Sequence, residues 1–283
     1  MADTDSPPFA QRCYIVTGST QGLGAAVARR LAQGGAAGLV LCGRQAAQGE
    51  AQAAALRADF GCAVHFVAAD LARVEECRAV TAAAERHFSA LHGLVNCAGL
   101  TDRGTILDTS PELFDAMFAV NVRAPFFLMQ AAIAQMLRAG VAGSIVNIQS
   151  MSAHGGQPFL CAYSASKGAL ATLTRNVAFS VMRHRIRVNG LNIGWMNTPH
   201  EDRIQREHHG AADDWLARAM QAQPFGRLLE PDEVARAVAY LLSDASGMTT
   251  GSVIDMDQGV VGCGDGGPPQ PAAALWPGDR AAS

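Results

Sequence analysis

The chain has 283 residues, 49% of them hydrophobic, and a formal net charge of −3. That length supplies one large domain or two small ones with a sizeable core, and the charge gives no electrostatic case for a nucleic-acid or anionic-membrane partner. The seven cysteines are scattered, odd in number and without a Cys-x-x-Cys pair, which argues against a disulfide scaffold or zinc ribbon and fits a cytoplasmic protein.

The first residues, Met1 to Pro8, show no basic region followed by an apolar run, so no signal peptide is expected. No uncharged apolar stretch reads as long enough for a membrane span. Cys13 to Thr17 reads as a short buried strand, followed by a Gly-rich turn and a helix over 22–33. Strands are then expected at 38–42, 63–67, 91–96, 144–148, 187–191 and 252–255. Helices are expected at 46–59, 74–88, 111–139 (its second part starting at Pro125), 161–183 and 231–242. The polar stretch 194–223 reads as irregular. Strands alternating with helices argue for an α/β fold: a single-domain, doubly wound parallel sheet of about seven strands over 10–262, with helices on both faces. Short apolar strands without polar alternation are what such a sheet needs. The stretch 263–283 is rich in Gly, Pro and Ala and is expected to pack little, unless Trp276 docks on a neighbouring subunit.

The turn after the first strand is Thr17-Gly18-Ser19-Thr20-Gln21-Gly22-Leu23-Gly24. Its glycines permit a tight turn and close backbone approach to a phosphate, and the helix N-terminus presents free N–H groups to an anion. The second strand ends in Gly43-Arg44, with no acidic residue for a ribose 2′-hydroxyl. An arginine there suits a 2′-phosphate and argues for NADP, with NAD still possible. The alternative is a surface arginine after a glycine turn.

Further on stands Tyr163-x-x-x-Lys167. On a helix these positions share a face, which places an ammonium beside a phenol and lowers the pKa of the phenol. A tyrosine tuned in this way can serve as a general acid or base, and Ser150, at the end of a strand, could reach the same point. Taken alone, the pair is more simply a contact on a helix surface. However, Lys167 is the only lysine in an arginine-rich chain, which suggests that a compact ammonium is needed there and a planar fork is not accepted.

The turn 17–24, Asp70-Leu71, Asn96-Cys97-Ala98-Gly99, Asn121, Ser150, Tyr163 and Lys167 together resemble the short-chain dehydrogenase/reductases, over about residues 10–260. The resemblance implies a Rossmann-like fold, usually a tetramer, with a homodimer as the alternative. It implies Tyr163 as acid/base, Ser150 polarising the substrate oxygen, Lys167 lowering the tyrosine pKa and binding the nicotinamide ribose, and Asn121 holding a relay water. It places Asp70 at the adenine, Leu71, Asn96, Ala98 and Gly99 along the cofactor, and Gly194, Met196 and Thr198 near the nicotinamide. The chain departs from the family at Cys97, at Ile193-Gly194 and at Asp257-Gln258-Gly259, where Gln258 could face an active site.

A lid is expected over 195–223, holding Trp195, His200, Glu201, Asp202, Arg203, His208 and His209. With Ser152, His154 and Gln157 near the catalytic loop, these groups suit a polar substrate such as a sugar, polyol or sugar acid, although a solvated lid is polar in any case. The spacing of His208-His209 indicates no metal site. The leading expectation is hydride transfer between a secondary alcohol and a carbonyl, with NADP as the preferred cofactor. The alternatives are a reductase of acyl-carrier thioesters, for which Arg103 and Arg123 are too few to form a basic patch, and a non-catalytic dinucleotide sensor.

Overall fold

The computed structural model describes residues 7–264. Seven strands form one sheet: β1 (Cys13–Thr17), β2 (Gly38–Gly43), β3 (Ala63–Ala68), β4 (Gly93–Asn96), β5 (Ser144–Ser150), β6 (Arg187–Ile193) and β7 (Val253–Met256). Every pairing is parallel and the order is β3-β2-β1-β4-β5-β6-β7. The order reverses between β1 and β4, which opens a crevice at the carboxyl ends of those strands.

The helices are α1 (Gly22–Gln33), α2 (Ala46–Phe60), α3 (Val74–His87), α4 (Pro111–Phe118), α5 (Ala124–Ala139), α6 (Cys161–Val181), α7 (Pro199–His209), α8 (Trp215–Gln221) and α9 (Pro231–Leu242). Two cores follow. One joins α1, α2 and α9 to one face of the sheet through Val27, Leu31, Leu56, Val238 and Leu241. The other joins α3, α5 and α6 to the opposite face through Val80, Leu128, Met136 and Val181. Residues of β1, β2 and β4 alternate between the two cores, so these strands are apolar on both sides.

Local chemistry sets the helix ends. Ser110 accepts the N–H of Leu113 at 3.2 Å ahead of Pro111, and Thr198 accepts that of Glu201 at 3.1 Å ahead of Pro199. Gly61, Gly140 and Gly210 close α2, α5 and α7 in the left-handed conformation.

Two sequence expectations change. The stretch 194–223 is not irregular: it folds as α7 and α8, because Trp215, Ala219 and Leu228 bury one another in a small core of their own. The run 111–139 is broken by a π-helical turn, Ala119–Arg123, between α4 and α5. That same run holds an 18-residue window of mean hydropathy 1.4 and is, by length and composition alone, apolar enough to cross a membrane; the sequence expectation concerned uncharged stretches, and this run carries Glu112, Asp115, Arg123 and Arg138. Here α5 buries Leu128, Met129, Ala132 and Met136 in the core. Of the expected tail, residues 265–283 with Trp276 lie outside the described residues.

Gly24 illustrates how tightly the first turn is built. A Cβ there would lie 2.2 Å from the carbonyl oxygen of Gly18, so Gly24→Ala must separate α1 from the turn. Overpacking of this kind costs roughly 1–3 kcal/mol. The expected result is a lower urea midpoint; an unchanged midpoint would mean that the turn yields freely.

Candidate active site

The first turn lies against the end of β4. Gly18 has φ +63°, and a Cβ there would stand 2.8 Å from Ala98 Cα. The hydroxyl of Thr17 accepts the N–H groups of Cys97 and Ala98 at 2.9 and 3.0 Å, fixing that contact. Helix α1 then starts with no side-chain cap on Gln21 and no acidic residue in its first turn. Its leading N–H groups therefore have no protein anion to pair with, and a dinucleotide phosphate fits this cradle. Thr198 approaches from the other side, its methyl 3.9 Å from a Cβ built on Gly22. Gly194 backs onto Asp257, whose Oδ1 would be 1.9 Å from a Cβ there, so no larger residue fits. Met196 is partly buried against the α1 core and forms a bridge with Leu229. Arg44 and Asp70 are exposed at the carboxyl ends of β2 and β3.

Not every residue expected along the cofactor offers its side chain. The hydroxyl of Ser19 accepts the N–H of Cys42 at 3.1 Å, and its own N–H donates to the Cys42 carbonyl at 3.1 Å. Ser19 thus ties the turn to β2. Asn96 is buried and donates to Asn147 Oδ1 at 2.8 Å, linking β4 to β5. Leu23 and Leu71 bury their side chains in the two cores, leaving only backbone for a ligand.

The reacting group forms where β5 and α6 meet. Ser150 ends β5, which runs two residues further than the apolar pattern indicated. Its Oγ accepts the N–H of Ser152 at 3.1 Å, and its hydroxyl favours the charged form of the Tyr163 phenol. Lys167 is 4% exposed, donates from Nζ to the Ile148 carbonyl at 3.0 Å, and lies 5.6 Å from the centre of the Tyr163 ring. Burial lowers the Lys167 pKa to about 8, with the nearby Cys97 thiol opposing, while burial pushes that thiol up to about 12. The phenol runs against the sequence expectation. Burial raises the Tyr163 pKa, and the Ser150 hydrogen bond and the field of Arg103 only offset it.

Asn121 sits in the π-helical turn, fully buried. Its amide nitrogen donates to the Leu100 carbonyl at 2.9 Å and to Ser166 Oγ at 3.0 Å, and its Oδ1 accepts the Leu100 N–H at 2.8 Å. Ser166 in turn donates to the Tyr163 carbonyl at 2.7 Å. A Cβ built on Gly99 would lie 3.5 Å from both Asn121 Oδ1 and Lys167 Nζ. The two side chains therefore bound one small space.

The chain matches the family model described as enoyl-(acyl carrier protein) reductase over residues 18–261. It is 33% identical over 252 residues to the cis-4-hydroxycyclohexanecarboxylate dehydrogenase of Sinomonas cyclohexanicum, covering 89% of this chain and 97% of that one. It is similar to the L-sorbose reductase of Gluconobacter frateurii, solved with NADPH and L-sorbose: 28% identity, TM-score 0.85, 91% of this chain and 99% of that one. It is also similar to an NAD+-bound xylitol dehydrogenase: 26% identity, TM-score 0.81, 89% and 99% coverage. The chain belongs to the short-chain dehydrogenase/reductase family.

This short-chain dehydrogenase/reductase is thus an oxidoreductase working with a nicotinamide dinucleotide. The segment expected as a lid is held by aromatic and carboxylate contacts. Trp195 Nε1 donates to Glu201 Oε1 at 2.8 Å, Trp215 Nε1 donates to Asp202 Oδ1 at 2.8 Å, and the two rings stack 6.2 Å apart. His200 Nε2 lies 3.3 Å from Thr101 Oγ1, joining α7 to the loop after β4. Ser152 is half-buried beside Ser150, and Gln157 is exposed on the following loop. Two residues expected near the site spend their side chains on other contacts. His154 Nε2 contacts Asp255 at 2.9 Å and Asn192 at 3.1 Å, so it is tied to the β6–β7 edge. Gln258 accepts the Phe225 N–H at 2.7 Å and donates to the Arg227 carbonyl at 2.6 Å, bracing the turn after α8.

Sequence reasoning passed over Arg103 and Glu201 as neighbours of the phenol; both act on Tyr163 through their charge. Neither belongs to a motif, and only folding brings them to it. A cavity of about 990 Å³ opens at the amino ends of the strands, lined by Arg12, Arg187, Asp244, Met182 and Met248 among others. Two of its arginines are already engaged, Arg12 by Asp244 and Arg187 by the carbonyls of Leu241 and Ser243. It lies at the opposite end of the sheet from the chemistry.

Proposed function

We propose that this enzyme is an NADP-preferring dehydrogenase/carbonyl reductase of a polar, hydroxyl-bearing small molecule, with Tyr163 as the proton-transferring group. The observation that carries this reading is the buried Lys167 ammonium 5.6 Å from the centre of the Tyr163 ring, with Ser150 ending β5 and its hydroxyl favouring the phenolate. Bound in the cradle at α1, the dinucleotide would supply or accept the hydride. The chain's own groups do the rest. Burial keeps the phenol protonated at neutral pH, so Tyr163 can donate to a carbonyl oxygen that Ser150 holds. The Lys167 charge stabilises the phenolate left behind. The space shared by Gly99, Asn121 and Lys167 suits a water returning the proton, with Asn121 as its anchor.

The names of the similar proteins support a sugar, polyol or alicyclic hydroxy acid as substrate. An acyl-carrier partner would need free surface cations near the site. Arg123 instead donates to the Ala72 carbonyl at 2.7 Å, and Arg103 is held inside the cleft. Exposed Phe114, Phe126 and Phe179 on α4, α5 and α6, and Tyr240 and Ile254 on α9 and β7, support self-association as a homotetramer or homodimer. Seven free thiols support a cytoplasmic setting. A screen of alcohols, sugars and acids, read as nicotinamide absorbance, tests the reading, and no turnover with any of them would defeat it.

Cofactor choice has its own test. No carboxylate stands at Gly43-Arg44, and Arg44 is exposed there. A charge-assisted hydrogen bond to a 2′-phosphate contributes about 1.5–3 kcal/mol, or roughly ten- to a hundred-fold in affinity. kcat/KM should favour NADP by that factor. A Cβ on Gly43 would meet Thr20 Cγ2 at 2.7 Å, so Gly43→Asp is best combined with Thr20→Ser. The pair should reverse the preference. A wild type that prefers NAD would show that Arg44 does not read the ribose.

A further inference from the structure

Arg103 lies in the loop after β4, and the proton transfer described above makes no use of it. Its Nη1 donates to the Thr101 carbonyl at 2.6 Å and its Nε to His209 Nε2 at 3.2 Å. Its guanidinium carbon lies 5.6 Å from the centre of the Phe159 ring, which meets the His209 ring edge-on at 5.1 Å. Backbone, lid and aromatic wall thus hold the group in one place. A guanidinium has five N–H donors, and these contacts use two. Among the described residues no carboxylate pairs with it, although ten other ion pairs form. A half-buried, anchored and unpaired guanidinium is expensive unless a ligand supplies the counter-charge.

Its place relative to the chemistry is informative. Of the charges acting on the Tyr163 phenol, Arg103 is the stronger and Glu201 the weaker, opposing one. Geometry sets Arg103 against the same region: the next residue, Gly104, donates to the Phe159 carbonyl at 2.9 Å and accepts the Cys161 N–H at 3.4 Å, at the start of the helix that carries Tyr163, and Thr101 contacts His200 of α7 at 3.3 Å. Glu201 is occupied: its Oε1 accepts Trp195 Nε1 at 2.8 Å and Gln205 Nε2 at 2.7 Å. Asp102, the neighbouring acid, makes no ion pair with Arg103. The cleft thus offers one fixed cation with free donors and one partly satisfied anion. A monoanion suits that balance, while a dianionic phosphate would sit against Glu201.

We propose that Arg103 is the specificity-determining residue of the cleft and that the substrate is a hydroxy or oxo acid, its carboxylate on the free edge of the guanidinium while its carbinol or carbonyl oxygen reaches Ser150 and Tyr163. This rests on the assignment of Tyr163 above. A planar fork matches a carboxylate with two parallel hydrogen bonds. The carboxylate takes no part in the reaction and sets which molecule can place its oxygen at the phenol.

The test compares hydroxy and sugar acids with their neutral counterparts, the primary alcohol or amide of the same skeleton, and with phosphate esters. Wild type should favour the acid in kcat/KM by about ten- to a hundred-fold over its neutral counterpart. In Arg103→Met that ratio should fall to near unity, and Arg103→Lys should keep part of it. The ratio is the readout, because losing the arginine also alters the phenol and slows all substrates together. A second measurement avoids turnover. The acid should raise the melting temperature of NADP-loaded Tyr163→Phe, and not of NADP-loaded Tyr163→Phe/Arg103→Met. Equal treatment of acid and neutral compound, a preference that survives in Arg103→Met, or a preferred phosphate ester would overturn the proposal. Arg103-dependent binding of an acid without hydride transfer to any substrate would instead defeat the assignment of Tyr163 and leave this one standing.

Discussion

Tyr163→Phe lowers kcat by about 10²- to 10⁴-fold, the usual contribution of a positioned acid/base, while dinucleotide affinity stays nearly unchanged. The substitution keeps the ring, and with it the packing of α6 against the loop after β5. It removes only the hydroxyl, the group that carries the proton. Neither of the other two tyrosines is placed to stand in for it. Tyr14 is buried in the α1 core, where burial pushes its phenol up as well, and Tyr240 is on α9. Steady-state kinetics and quenching of protein fluorescence by the cofactor separate the two effects. A variant that kept most of its kcat would show that some other group moves the proton.

Lys167→Arg is expected to lose about ten- to a hundred-fold in kcat/KM although the charge is kept. The ammonium reaches the Ile148 carbonyl in a closed slot bounded by Gly99, Cys97 and Asn121. A guanidinium is larger, and overpacking a tight site costs roughly 1–3 kcal/mol. It also cannot shed its proton to relieve burial. The lysine can, since its pKa is lowered to about 8. The sign of the pH dependence follows. Below about 8 the ammonium is present and favours an anionic dinucleotide; above it the charge is lost. Cofactor affinity should therefore decline as pH rises through about 8 in wild type, and Lys167→Met should remove that step. Near-normal kinetics in Lys167→Arg would make the isolation of this lysine a compositional accident.

The fold and the dinucleotide cradle were legible because they rest on local patterns. An uninterrupted apolar run such as Cys13 to Val16 can only be a strand buried on both faces. A glycine at 18 or 24 answers to a turn a few residues long. Tyr163 and Lys167 sit one helical turn apart, so their spacing alone put them together. The segment holding α7 and α8 was less legible. Its helices are polar outside and their apolar residues are few, and Trp215 and Leu228 make a core only after α8 folds back on the turn that follows it.

Side-chain direction was decided only by tertiary structure. Asn96, Ser19 and His154 all stand next to motif residues, yet each spends its hydrogen bonds on a neighbouring strand. Polar side chains take whichever partner packing brings near, and for His154 that partner is 101 residues away in the chain. The direction of the Tyr163 shift was decided in the same way. Spacing places a positive charge beside the phenol, but how much water the fold removes from it determines which effect wins. Arg103 shows both halves at once. Its charge is in the sequence. Its anchored place exists only because the loop after β4, the turn ahead of α6 and the end of α7 meet there.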